Sequence, residues 1–346
     1  MKYQQRILSC ILFPALFFGC ADDPAVVPDS GMADSRAADN LAHNVVKWQA
    51  GYQKPSVSLK EKKVFWKELY NDATMKVNAV WGVTANDMYA VGSGGLIMHY
   101  DGKTWQYMQG VNHAFLMSTK FHGVCGTNTN NVYVISDYDV IYFDGIMWRK
   151  SKWIWGQFFA IWGSSMTDMW VTSSDGMLWS HGARNDWDLV MLPKDMQANY
   201  YAIYGFSSGE IFVAGENGKM LKGHDYKFTR VETGTTENIR ALWGTSPKDL
   251  YAAGDNGLLM HYDGQAWQRL YLSNSYFKSI SGSSSGELFV VGHPWFKSDE
   301  SVLHFSGGKW KREPPPVDSF LNAVIYISPS DIYAFGDYNG LKYINP

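Results

Sequence analysis

From about residue 76 onward the chain is written in short runs where apolar and polar residues alternate, each run cut off by Gly, Asp-Gly, Asn-Gly or Ser clusters. Alternation with a period of two marks a strand with one buried face, and punctuation by turn formers marks antiparallel neighbours. One stretch shows four such runs in succession: IRALWG from Ile239, DLYAAG from Asp249, LLMHYDG from Leu258 and AWQRL from Ala266. The pattern predicts four antiparallel strands joined by tight turns.

The same unit recurs. AVWGVTANDMYAVGSGGLIMHYDGKTW, ending at Trp105, returns as ALWGTSPKDLYAAGDNGLLMHYDGQAW, ending at Trp267. A late aromatic falls at Trp66, Trp105, Trp148, Trp187, Phe228, Trp267 and Trp310. An early marker, the Trp of Ala-Val-Trp-Gly, has counterparts at Trp81, Cys125, Trp162, Tyr204, Trp243, Ser281 and Ile325, which define repeats one to seven. A four-stranded unit of this size cannot bury both of its faces alone, so successive sheets must stack around an axis. The expected fold is all-β, a seven-bladed β-propeller with four-stranded blades over residues 63–346. The last repeat stops after three strands, while Val64 to Leu69 reads as a detached fourth strand ahead of the first. This N-terminal outer strand is expected to complete the last blade and cover two sheet edges.

The repeat resembles the bacterial propeller repeats of pattern WGxSxxDvyaVGxxGxixHydGxxW that occur in secreted and lipid-anchored proteins. That resemblance implies a propeller and says little of function, because propellers host enzymes, scaffolds and receptors. Trp187-Asp188 is the chain's only Trp-Asp pair, unlike a WD40 repeat series.

The amino terminus reads MKYQQRILSCILFPALFFGC, with Lys2 and Arg6 before an apolar stretch from Ile7 to Phe18. Twelve residues are too few for a spanning helix. The ending Phe18-Gly19-Cys20 resembles the bacterial lipoprotein signal, which implies a signal peptide over 1–19 and lipidation at Cys20. Ala21, where the enterobacterial inner-membrane retention signal has Asp, implies the outer membrane. Residues 20–62 are rich in Ala, Asp, Pro and Ser without sustained periodicity and read as an anchor and flexible tether.

Composition narrows the function classes. Of 346 residues, 46% are apolar and 18% charged, enough to build a large core, and mean hydropathy of -0.24 excludes a polytopic membrane protein. Removing Lys2 and Arg6 from the 30 basic residues leaves 28 against 33 acidic ones, which argues against nucleic acid as a partner. With Cys10 in the signal and Cys20 acylated, Cys125 has no partner for a disulfide and reads as a small buried hydrophobe.

Repetition also disposes of the most tempting chemistry. His99, His261 and His304 occupy one repeat position, so each is expected on its own blade, tied to a neighbouring turn rather than gathered on a metal. Asp87, Asp168, Asp249 and Asp331, with Asn131, Glu210 and Glu287, are expected to be turn formers that accept backbone N–H bonds. No nucleophile elbow, paired-Cys signature or P-loop occurs, so neither a metal nor a cofactor is expected.

Function is expected where the repeat breaks. The late-to-early interval is 14 to 17 residues except from Trp105 to Cys125, where it is 20. The early-to-late interval is 23 to 25 except from Ser281 to Trp310, where it is 29. Both insertions, GVNHAFLMSTK from Gly110 and HPWFKSDE from His293, belong to connections that open on one face, the top. Three places before each early marker, at the channel mouth, stand Asn78, His122, Phe159, Tyr201, Arg240, Lys278 and Asn322. The second-to-third turns add Asp137, Glu216, Asp255 and Asp337, and other top connections add Trp153, Trp155 and Trp295. Aromatics beside carboxylates and amides suit a glycan or an extended peptide. The expectation is a monomeric, non-catalytic binding or assembly module of the bacterial cell envelope, held to the membrane by its lipid alone. The competing class is a carbohydrate-active hydrolase or lyase that uses top-face carboxylates.

Overall fold

The computed structural model describes residues 65–108, 119–151, 154, 156–182, 186–206, 209–224, 226–271, 275–294, 301–316 and 319–344. The expectations for the signal peptide, Cys20, the tether, Val64, Trp153, Trp155 and Trp295 lie outside them.

The described chain is built of β-sheets. Repeats two to six each form one four-stranded antiparallel sheet. In repeat five the strands are Ile239–Ser246, Asp249–Gly254, Leu259–Tyr262 and Trp267–Tyr271, paired in chain order. Repeats seven and one do not form separate sheets. A single 19-residue strand, Trp66–Thr84, pairs through Trp66, Lys67 and Glu68 with Tyr343, Lys342 and Leu341, and through Val77 to Thr84 with Asp87–Gly92. The two repeats therefore share one six-stranded sheet.

Apolar residues on the sheet faces collect into clusters, and each cluster draws on two consecutive repeats. Phe212 and Ala214 of repeat four meet Leu250 and Ala252 of repeat five. Val77, Met88 and Ala90 of repeat one meet Tyr333 and Phe335 of repeat seven. The late aromatics are distributed one per cluster. Trp66 stands edge-on to Phe289 at 5.9 Å, Trp105 to Phe335 at 5.3 Å, and Trp187 to Tyr133 at 6.3 Å. Burying each aromatic is worth roughly 1.5–3 kcal/mol, so the spacing of the late aromatics records inter-sheet packing. The Gly after the early Trp has a steric reason as well. A Cβ at Gly126 or Gly205 would lie within about 2.6 Å of the Trp81 or Trp162 ring of the preceding repeat. Cys125 is buried there, and burial pushes its thiol up to about 12.

Antiparallel order puts the start of each first strand, the second-to-third turn and the end of each fourth strand at one end of a sheet. The opposite end carries Asp-Gly turns. Asp101, Asp144 and Asp263 each accept two backbone N–H bonds at 2.8 to 3.0 Å, and the following Gly102, Gly145 and Gly264 take φ of 85 to 90°, left-handed geometry that favours glycine.

Two expectations need correction here. The carboxylates of Asp87, Asp168, Asp249 and Asp331 bind side chains instead of backbone N–H groups. Asp168 accepts from Ser164 Oγ at 2.5 Å, and Asp331 from Ser328 Oγ at 2.7 Å. Asp87 and Asp249 bind the Nε2 atoms of His99 and His261 at 2.7 and 2.6 Å, while Lys342 takes the histidine's place in repeat seven, 3.1 Å from Asp331. His304 departs from this pattern. Its Nδ1 faces Glu313 Oε1 at 2.7 Å with both residues buried, leaving Glu287 3.9 Å from Nε2.

Candidate binding face

Each channel-mouth residue occupies the same unusual backbone position. In repeat five Ile239 pairs with Gly254 and Ala241 with Ala253, so Arg240 is an extra residue in the first strand. The register slips likewise at Asn78, His122, Phe159, Tyr201, Lys278 and Asn322. All seven are the added residue of a β-bulge, a device that bends a strand and re-aims a side chain. Nothing in the repeat's residue types distinguishes a bulged strand from a regular one, so sequence gave the positions without their geometry.

The bulge sets a local partner. The mouth residue stands beside the first residue of the second-to-third turn, which follows it by fifteen positions. His122 Nε2 meets Asp137 Oδ1 at 2.6 Å. Arg240 donates to both oxygens of Asp255, from Nε at 2.9 Å and Nη2 at 2.8 Å. Asn322 Nδ2 donates to Asp337 Oδ1 at 2.9 Å, and Asn78 Nδ2 reaches Ser93 Oγ at 3.4 Å.

Contacts between repeats join these pairs. Asn78 Nδ2 donates to the Phe121 carbonyl at 2.8 Å and Asn322 Nδ2 to the Val77 carbonyl at 2.9 Å, so both asparagines tie one first strand to the next. The Arg240 guanidinium lies over the Tyr201 ring, 4.2 Å from its centre, and Tyr201 stands edge-on to Phe159 at 5.2 Å. Asp255, 8% exposed, also accepts from Asn238 Nδ2 at 2.9 Å. Burial alone would raise its pKa, but the Arg240 and Asn238 bonds outweigh that and hold it below the usual carboxylate range. Asp337 is paired with Lys76 at 2.6 Å. Lys278 lies within electrostatic reach of Lys120, Arg240, Asp255 and Asp337, groups separated by more than two hundred residues in sequence. The structure thus gathers Phe159, Tyr201, Arg240, Asp255, Lys278, Asn322 and Asp337 into one field. Among the described residues no hydrogen bond, ion pair or ring contact joins the His122–Asp137 pair or Glu216 to this group.

Sequence reading overlooked several members. His293 Nε2 donates to Asn322 Oδ1 at 2.8 Å, and burial, with help from the nearby Lys278, lowers its pKa. Its signal was present, since it follows Lys278 by the same fifteen positions that separate Arg240 from Asp255. Lys76 and Asn238 precede mouth residues by two positions and gave no signal of their own. Tyr138, Tyr338 and Phe320 expose 70, 49 and 50% of their surface at this end. Tyr338 is the least expected: its φ of 81° is the left-handed geometry that Gly94, Asn217 and Asn256 supply in equivalent turns.

No family model and no curated protein matches the sequence. Solved structures do resemble it. The described fold is similar to YCF48 bound to D1 peptide (14% identity, TM-score 0.65, covering 83% of this chain and 97% of that one). It is similar to the WD40 β-propeller domain of Doa1 (13% identity, TM-score 0.65, covering 81% and 98%). It also resembles the extracellular domain of the putative one component system BT4673 from B. thetaiotaomicron (14% identity, TM-score 0.63, covering 81% of this chain and 40% of that one). At such identities the likeness speaks for the fold alone: the chain is an all-β, propeller-like repeat protein.

Proposed function

We propose that the protein is a lipid-anchored, non-catalytic binding module of the bacterial cell envelope, and that it recognises a protein or glycan partner through the top face of a seven-bladed propeller. The observation that carries this reading is the set of seven bulges, which aims side chains of six different kinds at one end of the sheets while the packing positions stay alike. The seven-bladed ring is supported by the pairing of Trp66 with Tyr343 and by the packing of Leu321–Ser328 against Trp66–Thr84. In this reading residues 1–19 are the signal, Cys20 carries the lipid, residues 20–62 are the tether and 63–346 the propeller, on an outer membrane. The extracellular setting of the BT4673 domain and the peptide held by YCF48 are compatible with it.

A hydrolase would need one protonated acid and one free carboxylate at a set separation. Of the four top-face carboxylates, Asp137, Asp255 and Asp337 are each engaged with a basic group, which leaves Glu216 without a second free acid among them. The module reading is tested by capturing partners from envelope extracts on the immobilised full chain. Arg240→Ala and His122→Ala should weaken capture, while Asp101→Ala and Asp263→Ala, at the opposite face, should not. The reverse pattern would refute it. Cys20→Ser should abolish incorporation of labelled fatty acid and partitioning into detergent; equal partitioning of both forms would remove the anchor.

A further inference from the structure

Repeat six breaks the rule that a basic mouth residue carries its own acid. Arg240 has Asp255 fifteen positions on, and His122 has Asp137. Lys278 has His293, a second basic group. His293 donates to Asn322 Oδ1 and, being no acid, offers the lysine no counter-charge. The two described acids within electrostatic reach are engaged elsewhere, Asp255 by Arg240 and Asn238, and Asp337 by Lys76 and Asn322. Among the described residues no hydrogen bond or ion pair reaches the half-buried Lys278 ammonium.

We infer that Lys278 is the receptor for a ligand carboxylate, and that the ligand is a peptide whose free C-terminus follows an apolar last side chain; this rests on the top-face binding reading above. The carboxylate would stand where the other basic repeats place their own Asp. Charge-assisted bonds to a partly desolvated cation are among the stronger polar contacts, and an ammonium left without a partner is costly until one arrives. Burial, chiefly, and the charge of Arg240 lower the Lys278 pKa, as expected of such a cation.

Peptide is favoured over sugar by what remains unused around Lys278. A sugar ring needs many hydrogen-bond partners. The amides of Asn238 and Asn322 and the carboxylates of Asp255 and Asp337 already bond to one another or to basic groups. The Tyr201 ring is covered on one face by Arg240 and met edge-on by Phe159. Left over are the ammonium and the exposed ring of Phe320, which packs edge-on to His293 at 5.3 Å. A carboxylate beside an apolar side chain matches that pair.

The test is ligand-observed NMR on the full chain with three probes: N-acetylphenylalanine, its amide, and trigalacturonate. The free acid should bind at least about ten-fold more tightly than the amide. Lys278→Gln should remove that preference, and so should His293→Asp, which supplies the absent acid within the repeat. Melting at or above the wild-type temperature shows that His293→Asp is folded even if Lys278→Gln is not. Equal binding of acid and amide, or a preference for the acid that survives both substitutions, overturns the carboxylate receptor. Stronger, Lys278-dependent binding of trigalacturonate overturns the peptide and leaves the binding face standing. Capture from extracts that depends on Arg240 but is indifferent to Lys278→Gln likewise sinks this inference alone, whereas loss of both dependences sinks the module reading.

Discussion

The two ends of the sheets follow opposite rules. At one end Asp101-Gly102, Asp144-Gly145 and Asp263-Gly264 repeat the same hydrogen bonds and nearly the same φ. At the other, seven bulges hold seven positions in one geometry while their residues run from Asn to Phe to Arg. Identical geometry with identical residues is what a turn needs in order to close. Identical geometry with different residues means that the backbone is a mount and the side chains are what vary. On the proposed reading the contrast separates positions that maintain the fold from positions that face a ligand, and it can be attacked from both sides.

The largest effect is expected between these ends, in the packing layer. Trp66 is fully buried against Phe289 and Tyr343, and Trp66→Ala should cost about 3–5 kcal/mol in a denaturant melt. Affinity per folded molecule should not change; a loss of affinity with intact stability would erase the distinction between packing and binding positions.

Next comes the mouth itself. Arg240→Ala should weaken capture of a top-face partner by about 1–3 kcal/mol if the residue is an anchor. It should also free Asp255, whose pairing has a pH signature. Because its folded pKa is lowered, its contribution is fully present above the unfolded value of about 3.9 and is lost as pH falls through the folded one. Acid melts of the wild type should therefore fall more steeply than those of Asp255→Asn, and parallel curves would show that the ion pair contributes nothing.

Gly264→Ala should cost about 1 kcal/mol or more, through the left-handed geometry and the crowding of the new Cβ against Lys248 Cβ at 3.0 Å, without touching affinity. Calorimetry of the variant alongside a capture assay checks both halves. If affinity drops, the Asp-Gly end is not a bystander.

The smallest effect has the opposite sign. The folded pKa of Lys278 is lowered, so its charge is a burden on the free protein below that pKa, and the burden fades as pH rises toward the unfolded value of about 10.4. Lys278→Gln should melt slightly above the wild type near neutrality, with the gap closing in alkali. A melting point below the wild type at all pH values would mean that the lysine has an internal partner.

Much of this molecule could be read from one dimension. The spacing of Trp66, Trp105, Trp148, Trp187, Phe228, Trp267 and Trp310 anticipated one packed aromatic, buried or partly buried, per pair of consecutive repeats, because packing between sheets recurs at every repeat. The Asp-Gly turns were equally legible, since their hydrogen bonds span three residues. The roles of His99 and His261 came from repetition, and His304 escaped the same logic because Glu313, just past its own fourth strand, lies at 2.7 Å while Glu287 stays at 3.9 Å.

What sequence alone determined is therefore whatever recurs locally: strands, turns, the repeat and the end of the sheets where it is broken. Tertiary structure decided which residues are bulged, that a single strand serves repeats seven and one, and who neutralises whom at the mouth. Bulges depend on the register between two strands, and charge pairing depends on groups that meet only after the sheets have stacked. Asp337 illustrates the limit: it was visible in the sequence as one of four similar turn acids. Only the fold brings Lys76, 261 residues away, to within 2.6 Å of it, and among the described residues leaves Lys278 without a carboxylate of its own.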